Sequence, residues 1–331
     1  MNYRSIAELN SEVRQLAHDL PSDIDLVVGI PRSGLLAANL LCLNLNVPMT
    51  DVDGLCEGRL LATGYRYDET STFSDVDRVL VIDDSVDSGR EMTNTRRRLD
   101  EHDFPFDVEY AAVYISAEGY QYVDHWGEVV GKPRVFEWNL MHHPMLKNCC
   151  VDIDGVLCRD PTRRENDDGE NYREFVTTVE PKILPTERVG WLVTCRLEKY
   201  RDLTEEWLDA HGVEYDNLVM MDLPSKEVRR ARGNHAEYKA NVYKSTGANL
   251  FIESSHNQAV QISERTGKPV YCYYSNEMVQ PDALARTYDR GNEYLSRLVD
   301  NPISFPLRAS RYLLTRGQHR MNLLTRRYRD D

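Results

Sequence analysis

The stretch VLVIDDSVDSGR, residues 79–90, decides how the rest of the chain is interpreted. Its first four residues are apolar and predict a buried strand of a parallel sheet. Two adjacent carboxylates, Asp83 and Asp84, end this predicted strand, and the turn 87–90 leads into residues that can begin a helix. Ligands of open α/β sheets bind beyond the carboxyl ends of the strands, so the stretch predicts a binding site.

The residue types in this stretch indicate what such a site would bind. A glycine-containing turn before a helix offers backbone N–H groups and a positive dipole end to a phosphate. Carboxylates repel phosphate, but they accept hydrogen bonds from ribose hydroxyls or hold Mg²⁺ that bridges to a diphosphate. A ligand with a phosphate, a diol and a metal-bound diphosphate satisfies all of these features. The alternative interpretation is an ordinary strand followed by a polar turn.

The stretch resembles the phosphoribosyl pyrophosphate (PRPP) motif of type I phosphoribosyltransferases, in which Asp-Asp and Ser/Thr-Gly follow an apolar strand. A second strand–turn–helix pattern, residues 24–45, contains Pro-Arg-Ser-Gly at 31–34 and is similar to the diphosphate loop of that family. In that loop Arg32 would pair with a diphosphate oxygen. The resemblance implies PRPP binding by Arg32, Ser33, Gly34, Asp83, Asp84, Asp87, Ser88, Gly89 and Arg90.

One residue departs from the family pattern. Glu91 stands where the family often has a hydroxyl residue that helps to hold the 5-phosphate. A carboxylate that faced the phosphate would repel it, so we expect Glu91 to point elsewhere. Ser88 and the backbone N–H groups of residues 88–90 would then hold the phosphate.

Two further features of the first half were assessed for roles in transfer. Residues 56–77 form a long polar segment, which in this family is a loop that closes over PRPP and excludes water. The resemblance makes Arg59, Arg66 and Tyr67 candidates to contact the leaving diphosphate; a solvated hairpin is the alternative. Trp138 either stacks on the acceptor or packs at the end of the domain, and packing is favoured.

A second buried strand, CCVDIDGVL at residues 149–157, also ends in carboxylates. Residues two apart in an extended strand and its turn can face one cavity. Asp152 could attack phosphorus and form an aspartyl-phosphate, while Asp154 protonates the leaving alcohol and later activates water. The pattern resembles the first motif of the haloacid dehalogenase (HAD) superfamily, whose members are mostly phosphatases.

The remaining HAD motifs follow in order. Thr194 ends an apolar strand and would bind a phosphoryl oxygen, Lys239 would neutralise the aspartyl-phosphate, and Glu253 follows another strand as an acidic metal ligand. Lys226 and Lys244 are alternatives to Lys239. The resemblance implies that Mg²⁺ is bound by Asp152, Asp154 and Glu253.

The spacing of these motifs limits the size of any cover over the site. About forty residues separate the first motif from Thr194, too few for a large cap domain. The polar stretch 159–169 within this interval is interpreted as a solvated loop in preference to a metal site. An open site would suit a bulky substrate, or one covered by a neighbouring domain.

Composition favours a cytoplasmic protein of two domains. The chain has 331 residues, a net charge of −14 and 54 acidic residues, which disfavours nonspecific binding to nucleic acid. Its seven cysteines include no CxxC, which indicates a reducing compartment. No signal peptide and no apolar run of spanning length is recognised. The pair His142 and His143 lacks partners at zinc spacing and is interpreted as linker, so no zinc is expected.

The predicted fold class is α/β, with two doubly wound, mostly parallel sheets. The predicted division is a phosphoribosyltransferase-like domain at residues 1–147, a HAD-like domain at 148–278 and a helical extension at 279–331. Residues 303–329 of this extension contain seven arginines and form a basic amphipathic pattern. Docking of this tail on its own chain or on a second copy, which would allow a homodimer, is favoured over an anionic lipid surface or nucleic acid.

The leading functional hypothesis is a bifunctional enzyme. PRPP-dependent transfer to an unidentified acceptor (glycan, lipid, base or polymer) would be followed by Mg²⁺-dependent removal of the 5-phosphate. One alternative is a PRPP- or nucleotide-sensing domain that controls a phosphatase. Another is a salvage phosphoribosyltransferase joined to a nucleotidase.

Overall fold

The computed structural model describes residues 1–61, 73, 76–233 and 235–281, apart from the side chains of residues 230 and 232. The strands of this part are β1 Asn2–Arg4, β2 Leu26–Gly29, β3 Met49–Asp51, β4 Arg78–Val86, β5 Asp107–Ile115, β6 His125–Val129, β7 Arg134–Phe136, β8 Cys149–Val151, β9 Val189–Leu197, β10 Tyr215–Met221, β11 Leu250–Glu253, β12 Val270–Cys272 and β13 Glu277–Val279. The α-helices are α1 Ile6–Asp19, α2 Gly34–Leu45, α3 Val52–Cys56, α4 Arg90–Leu99, α5 Glu170–Thr178, α6 Arg201–Ala210, α7 Lys226–Arg232, α8 His235–Ser245 and α9 His256–Thr266.

The first sheet has the strand order β3-β2-β4-β5-β6, and every neighbouring pair is parallel. Helices α1 and α2 cover one face through Leu9 and Leu41, while α3 and α4 cover the other through Leu55 and Met92. The strand order reverses direction between β2 and β4. The carboxyl ends of these two strands therefore form the crevice in which an open α/β sheet binds its ligand.

The second sheet has the strand order β10-β9-β8-β11-β12-β13 and is parallel except for the pair β12–β13. Helices α5 and α6 pack on one face through Phe175 and Trp207, and α8 and α9 pack on the other through Tyr243 and Ile262. Here the order reverses between β8 and β11, which places the crevice beside Asp152 and Glu253. The predicted α/β class with mostly parallel sheets is confirmed.

A third, two-stranded sheet joins β1 to β7 in parallel, and Tyr3 lies opposite Val135. The sequence analysis began its first helix at residue 4 and did not predict β1. Helix α1 begins later because Ser5 accepts a hydrogen bond from the Glu8 N–H and the Glu8 carboxylate accepts one from the Ser5 N–H. This capping box fixes the start of the helix and leaves residues 2–4 extended.

Strand β4 is longer than its apolar run. Its ladder with β5 continues through Asp83 opposite Ala112 and Val86 opposite Ile115. Asp83 and Asp84 therefore lie inside the strand rather than after it. Hydrophobicity marks where a strand is buried on both faces, whereas backbone pairing decides where it ends.

Several predictions fall outside the described residues. Arg66, Tyr67 and the basic tail at 282–331 belong to this group, so their proposed roles stay predictions. The three-part domain division also stays a prediction. In the part of the chain that the structure describes, no helix is both long and apolar enough to cross a membrane.

Candidate active sites

The first site is formed where the turn 31–34 meets β4. The peptide bond between Pro31 and Arg32 is cis. A side chain at Gly34 would place its Cβ 2.9 Å from the Asp83 Oδ1 atom, so the start of α2 can approach β4 this closely only with glycine. The Ser33 Oγ atom donates a hydrogen bond of 2.7 Å to Asp84 Oδ1. The two predicted PRPP motifs are thus brought together.

Asp83 is a buried carboxylate at the centre of this site. Its Oδ1 atom accepts a hydrogen bond of 2.9 Å from the Asp84 backbone N–H. Burial raises the pKa of Asp83 well above its ordinary value, and the neighbouring Asp84 charge raises it further. A pair of carboxylates held in this way is stabilised by a ligand that brings hydroxyl donors or a cation.

Trp138 contacts the same pair of carboxylates. Its Nε1–H donates a hydrogen bond of 2.7 Å to Asp84 Oδ2, and its ring stacks on Phe136 at a centroid distance of 4.9 Å. Asp84 is therefore held from both sides, by Ser33 and by Trp138. Sequence reasoning favoured packing for Trp138 and missed this hydrogen bond, because no local pattern relates residues 84 and 138.

The turn 87–90 begins α4. Gly89 has a φ of +68° and lies at the N-cap of α4, while Ser88 and Arg90 are exposed beside it. The Glu91 side chain is 70 % exposed, in keeping with the expectation that it points away from a bound phosphate. The helix N-terminus is therefore not blocked by its own acidic residue.

Asp87 is paired rather than free. Its carboxylate lies 2.9 Å from Lys132 Nζ and 3.9 Å from an Arg134 nitrogen. Burial raises the pKa of Asp87, but Lys132 and Arg134 outweigh it and the pKa is lowered. These two cations come from the connection after β6 and from β7, and the sequence analysis assigned neither to the site.

The two predicted arginine contacts of the diphosphate lie at the edge of this region. Arg32 is exposed in its turn. Arg59 is 48 % exposed and lies 3.3 Å from Glu57 and 3.8 Å from Asp51. Both side chains are accessible, and a role for either one in binding stays a prediction.

The second site is built around a buried lysine. Lys239 Nζ, on α8, lies 2.7 Å from Asp152 Oδ2 and 2.6 Å from Glu253 Oε2. Of the three candidate lysines, only Lys239 is brought to Asp152 by these contacts, since Lys244 is exposed and Lys226 contacts Asp168 through its backbone. A buried ammonium between two carboxylates offsets their mutual repulsion.

Asp152 and Thr194 end adjacent strands at the same edge of the sheet. Burial raises the pKa of Asp152 well above its ordinary value; Lys239 opposes this effect, and Glu253 adds to it. The Thr194 side chain is fully buried, and its Oγ1 atom accepts a hydrogen bond of 3.2 Å from the Arg196 N–H. Four of the residues predicted from the HAD motifs, Asp152, Thr194, Lys239 and Glu253, therefore belong to one buried cluster.

Asp154, the fifth, is held by a partner that the sequence analysis missed. Arg196 is fully buried, and its Nη2 and Nε atoms lie 2.7 Å and 3.1 Å from Asp154 Oδ1. The Arg196 side chain also donates to Thr204 Oγ1 at 3.4 Å. The sequence holds one usable signal, an arginine two residues after Thr194 and thus on the same face of β9.

The predicted Mg²⁺ ligands are only partly brought together. Carboxylate oxygens suit Mg²⁺, and Asp152 with Glu253 presents two carboxylates to a single ammonium, which fits a divalent cation. Asp154 does not join them, because its carboxylate is paired with Arg196. Among the described residues, no three His, Cys, Asp or Glu side chains form a group that could hold a metal ion. The donor set that fits is thus Asp152 and Glu253.

The fold and the two crevices resemble a type I phosphoribosyltransferase domain followed by a HAD domain. No protein-family model matches the chain. A curated relative, the putative nucleotidase YqfW of Bacillus subtilis (strain 168), is 28 % identical over 83 residues, which are 25 % of this chain. The match spans 36 % of that relative's length.

Two solved structures are similar to part of the chain. Xanthine-guanine-hypoxanthine phosphoribosyltransferase of Helicobacter pylori shares 14 % identity with a TM-score of 0.33 and covers 41 % of this chain and 92 % of its own. A purine phosphoribosyltransferase from Pyrococcus horikoshii Ot3 shares 20 % identity with a TM-score of 0.32 and covers the same shares, 41 % and 92 %. The functional proposals below rest on the site geometry instead of on these likenesses.

Proposed function

We propose that the chain transfers a 5-phosphoribosyl group from PRPP to an acceptor and then removes the 5-phosphate from the product. The observation that carries the proposal is the presence, on one chain, of two carboxylate sites at the reversal points of two parallel sheets. One site combines paired carboxylates with a helix N-terminus, and the other surrounds a buried lysine with carboxylates. These are different chemistries, and the first produces what the second consumes.

In the transfer step, the N–H groups of residues 88–90 would hold the 5-phosphate at the start of α4. Asp83 and Asp84 would accept hydrogen bonds from the ribose hydroxyls, and Arg32 would pair with the diphosphate. A ligand hydroxyl or cation would compete with Ser33 and Trp138 for the Asp84 oxygens. The role of the protein is thus to bind the two ends of PRPP and expose its anomeric carbon to the acceptor.

In the hydrolytic step, an Asp152 oxygen would attack phosphorus and the bond to the ribosyl oxygen would break. Asp154 would supply the proton to that oxygen and later take one from the water that cleaves the aspartyl-phosphate. Lys239 would offset the negative charge at Asp152, while the Thr194 hydroxyl binds a phosphoryl oxygen. Mg²⁺ on the oxygens of Asp152 and Glu253 would supply further positive charge.

The order of the two steps follows from chemistry. Transfer from PRPP always leaves a 5-phosphate on the new ribosyl group, which is a phosphomonoester. The name of the curated relative, a putative nucleotidase, agrees with phosphomonoester hydrolysis. Because both sites are on one chain, the intermediate would meet the second site at a high effective concentration.

The test is product analysis with PRPP labelled in the ribose, Mg²⁺ and a metabolite extract as the source of acceptors. Wild type should give a ribosylated acceptor, diphosphate and inorganic phosphate. Asp152→Asn should accumulate the 5-phosphoribosyl acceptor, because an amide is a poor nucleophile. The double variant Asp83→Asn, Asp84→Asn should give neither product. The same product from Asp152→Asn and wild type would refute sequential action.

A PRPP- or nucleotide-sensing role for the first site is the second candidate. It is favoured by the engagement of both Asp84 oxygens and by Glu91 in place of a phosphate-binding hydroxyl. Calorimetry with PRPP and Mg²⁺ separates the two functions. Binding without consumption of PRPP in the presence of the extract, together with a changed phosphatase rate, would support sensing and contradict transfer.

A further inference from the structure

A cavity of about 560 Å³ lies beside the second site, between the carboxyl end of β10 and helices α7 and α8. Its lining includes none of the residues predicted to carry the chemistry. Its size falls within the range of small-molecule sites in proteins, roughly 300–1,000 Å³. The cavity is therefore large enough for the part of a substrate that lies beyond the phosphate.

The cavity adjoins the phosphate-binding end of β9. Arg229, which lines it, donates a hydrogen bond of 2.9 Å from Nη1 to the carbonyl oxygen of Cys195, the residue after Thr194. His235, also in the lining, is one helical turn before Lys239 on α8. A molecule in the cavity would thus lie within a residue or two of the groups that hold the phosphoryl group.

The stretch 159–169, interpreted from sequence as a solvated loop, is tied to α7 beside this cavity. Asp168 Oδ2 accepts a hydrogen bond of 3.1 Å from the Lys226 N–H, and Asn166 Oδ1 accepts one of 3.2 Å from Arg229 Nη2. Lys199 Nζ lies 2.9 Å from Asp168 as well. The wall of the cavity that contains Arg229 is therefore anchored at both sides, to the loop and to β9.

The charges of the lining exclude one class of ligand. Arg229 contributes one positive charge, and Asp222 and Glu237 contribute two negative ones. Burial lowers the pKa of His235, and Arg229 and Lys239 lower it further, so this ring is neutral at pH 7. With a formal charge of −1, the cavity does not favour a second phosphate or a polyanion.

The other lining groups favour a neutral polar ring. Met220, Leu223 and Tyr238 offer apolar surface to the face of a ring, while carboxylates accept hydrogen bonds from hydroxyls. We propose that this cavity binds the uncharged, ribosyl-bearing alcohol that leaves when the phosphate is removed, and that Asp222 selects against anionic leaving groups. This inference rests on the proposed phosphatase function of the second site.

The test compares three phosphomonoesters with the full-length protein and Mg²⁺. Adenosine 5′-monophosphate has a neutral ribosyl leaving group, adenosine 3′,5′-bisphosphate has an anionic one, and p-nitrophenyl phosphate has neither a ribose nor a second phosphate. For the 5′-phosphate, we expect kcat/KM of wild type to favour the monophosphate over the bisphosphate by tenfold or more. Asp222→Lys should reduce this ratio about tenfold, because a repelling charge is replaced by an attracting one.

Asp222 is exposed, so the variant should fold. Asp216→Lys is the matched control, since Asp216 is an exposed residue near the other end of the same strand, β10, 3.5 Å from Arg188. The ratio should not change in this control, and the rate with p-nitrophenyl phosphate should change less than threefold in both variants. An unchanged ratio in Asp222→Lys, or no preference in wild type, would overturn the inference.

The phosphatase function and the cavity are separated by a binding measurement. Calorimetry with adenosine alone should show binding to wild type and to Asp216→Lys, and a loss of affinity of about tenfold in Asp222→Lys. A protein that hydrolyses none of the three esters refutes the phosphatase, whatever adenosine does. Failure of adenosine to bind wild type refutes the assignment of the cavity, even where p-nitrophenyl phosphate is hydrolysed.

Discussion

At the scale of single residues, the second site is decided by how each carboxylate is paired. Asp152 shares Lys239 with Glu253, whereas Asp154 has a buried arginine of its own. The sequence predicted the residue types at these positions, because an ordered set of motifs specifies chemistry. It could not predict the Arg196 contact or the Trp138 contact, since both depend on distances between strands that no local pattern encodes.

Arg196 is expected to act by positioning Asp154. Lysine at this position keeps the charge but loses the fork that holds the carboxylate through two nitrogens. Arg196→Lys should therefore reduce turnover of an alkyl phosphomonoester, whose leaving group needs a proton, by about 100-fold. Turnover of p-nitrophenyl phosphate, whose leaving group departs without a proton, should fall less than tenfold.

The control for this prediction is Arg188→Lys, an exposed arginine at the start of β9 that pairs with Glu214. It should leave both rates unchanged. Equal losses with the two esters in Arg196→Lys would indicate a purely structural role. Stability measured in urea would then account for the loss.

Asp83 gives a prediction about pH and stability. Because its pKa is raised in the folded state, the folded protein holds this proton to a higher pH than the unfolded chain does. Ionised Asp83 therefore costs stability as pH rises through the unfolded value of about 3.9, and the cost is complete above the folded pKa. Asp83→Asn should be more stable than wild type at pH 7 without Mg²⁺, with the gain vanishing as pH falls below about 4.

The measurement is the urea midpoint of the two proteins across this pH range. Asparagine can still accept the Asp84 N–H hydrogen bond through its Oδ1 atom, so the comparison isolates the charge. Leu43→Ala, a change of an exposed side chain, serves as a control for pH effects of the rest of the chain. A gain that grows toward low pH would have the wrong sign and would exclude the assigned cause.

At the scale of elements, the turn before α4 depends on one glycine. Gly89 adopts a φ of +68°, and a Cβ atom there would lie 2.2 Å from the Tyr122 ring. The sequence predicted the turn because Asp-Ser-Gly before a polar helix is a local signal. It could not predict the cover by Tyr122, which comes from a 3-10 helix, Gly119–Tyr122, over thirty residues later.

Gly89→Ala should therefore destabilise the protein by more than the strain of a positive φ alone. Gly58→Ala is the matched control, because Gly58 has a φ of +66° with no atom within 4 Å of the added Cβ. We expect a loss of about 1–2 kcal/mol for Gly58→Ala and roughly 1–3 kcal/mol more for Gly89→Ala, both from urea unfolding. Equal losses would show that Tyr122 yields without cost.

At the scale of the whole molecule, the two large sheets are joined through a few side chains as well as through the chain itself. The Tyr3 hydroxyl donates a hydrogen bond of 2.9 Å to the carbonyl oxygen of Asn276, and its ring lies 5.7 Å from that of Tyr271. A cavity of about 410 Å³ lies beside these contacts, between residues of both halves such as Trp138 and Tyr273. The first half is therefore not independent of the second.

Tyr3→Phe tests this connection. The variant keeps the ring contact and removes the hydroxyl, so it should lower the free energy of unfolding by about 1 kcal/mol. Tyr274→Phe is the control, because Tyr274 is 71 % exposed, and it should have no effect. If Tyr3→Phe is as stable as wild type, the hydrogen bond to Asn276 contributes nothing to holding the halves together.

The pairing of β1 with β7 also has a consequence for biosynthesis. Residues 2–4 leave the ribosome first, but their partners, residues 134–136, are made about 130 residues later. At roughly 5–20 residues per second, this delay is on the order of ten seconds. During that time the extended segment before α1 has no strand to pair with, so a chaperone or a neighbouring nascent chain could bind it. The first sheet can assemble without this pair, whereas the junction to the second sheet forms only after translation has passed residue 136.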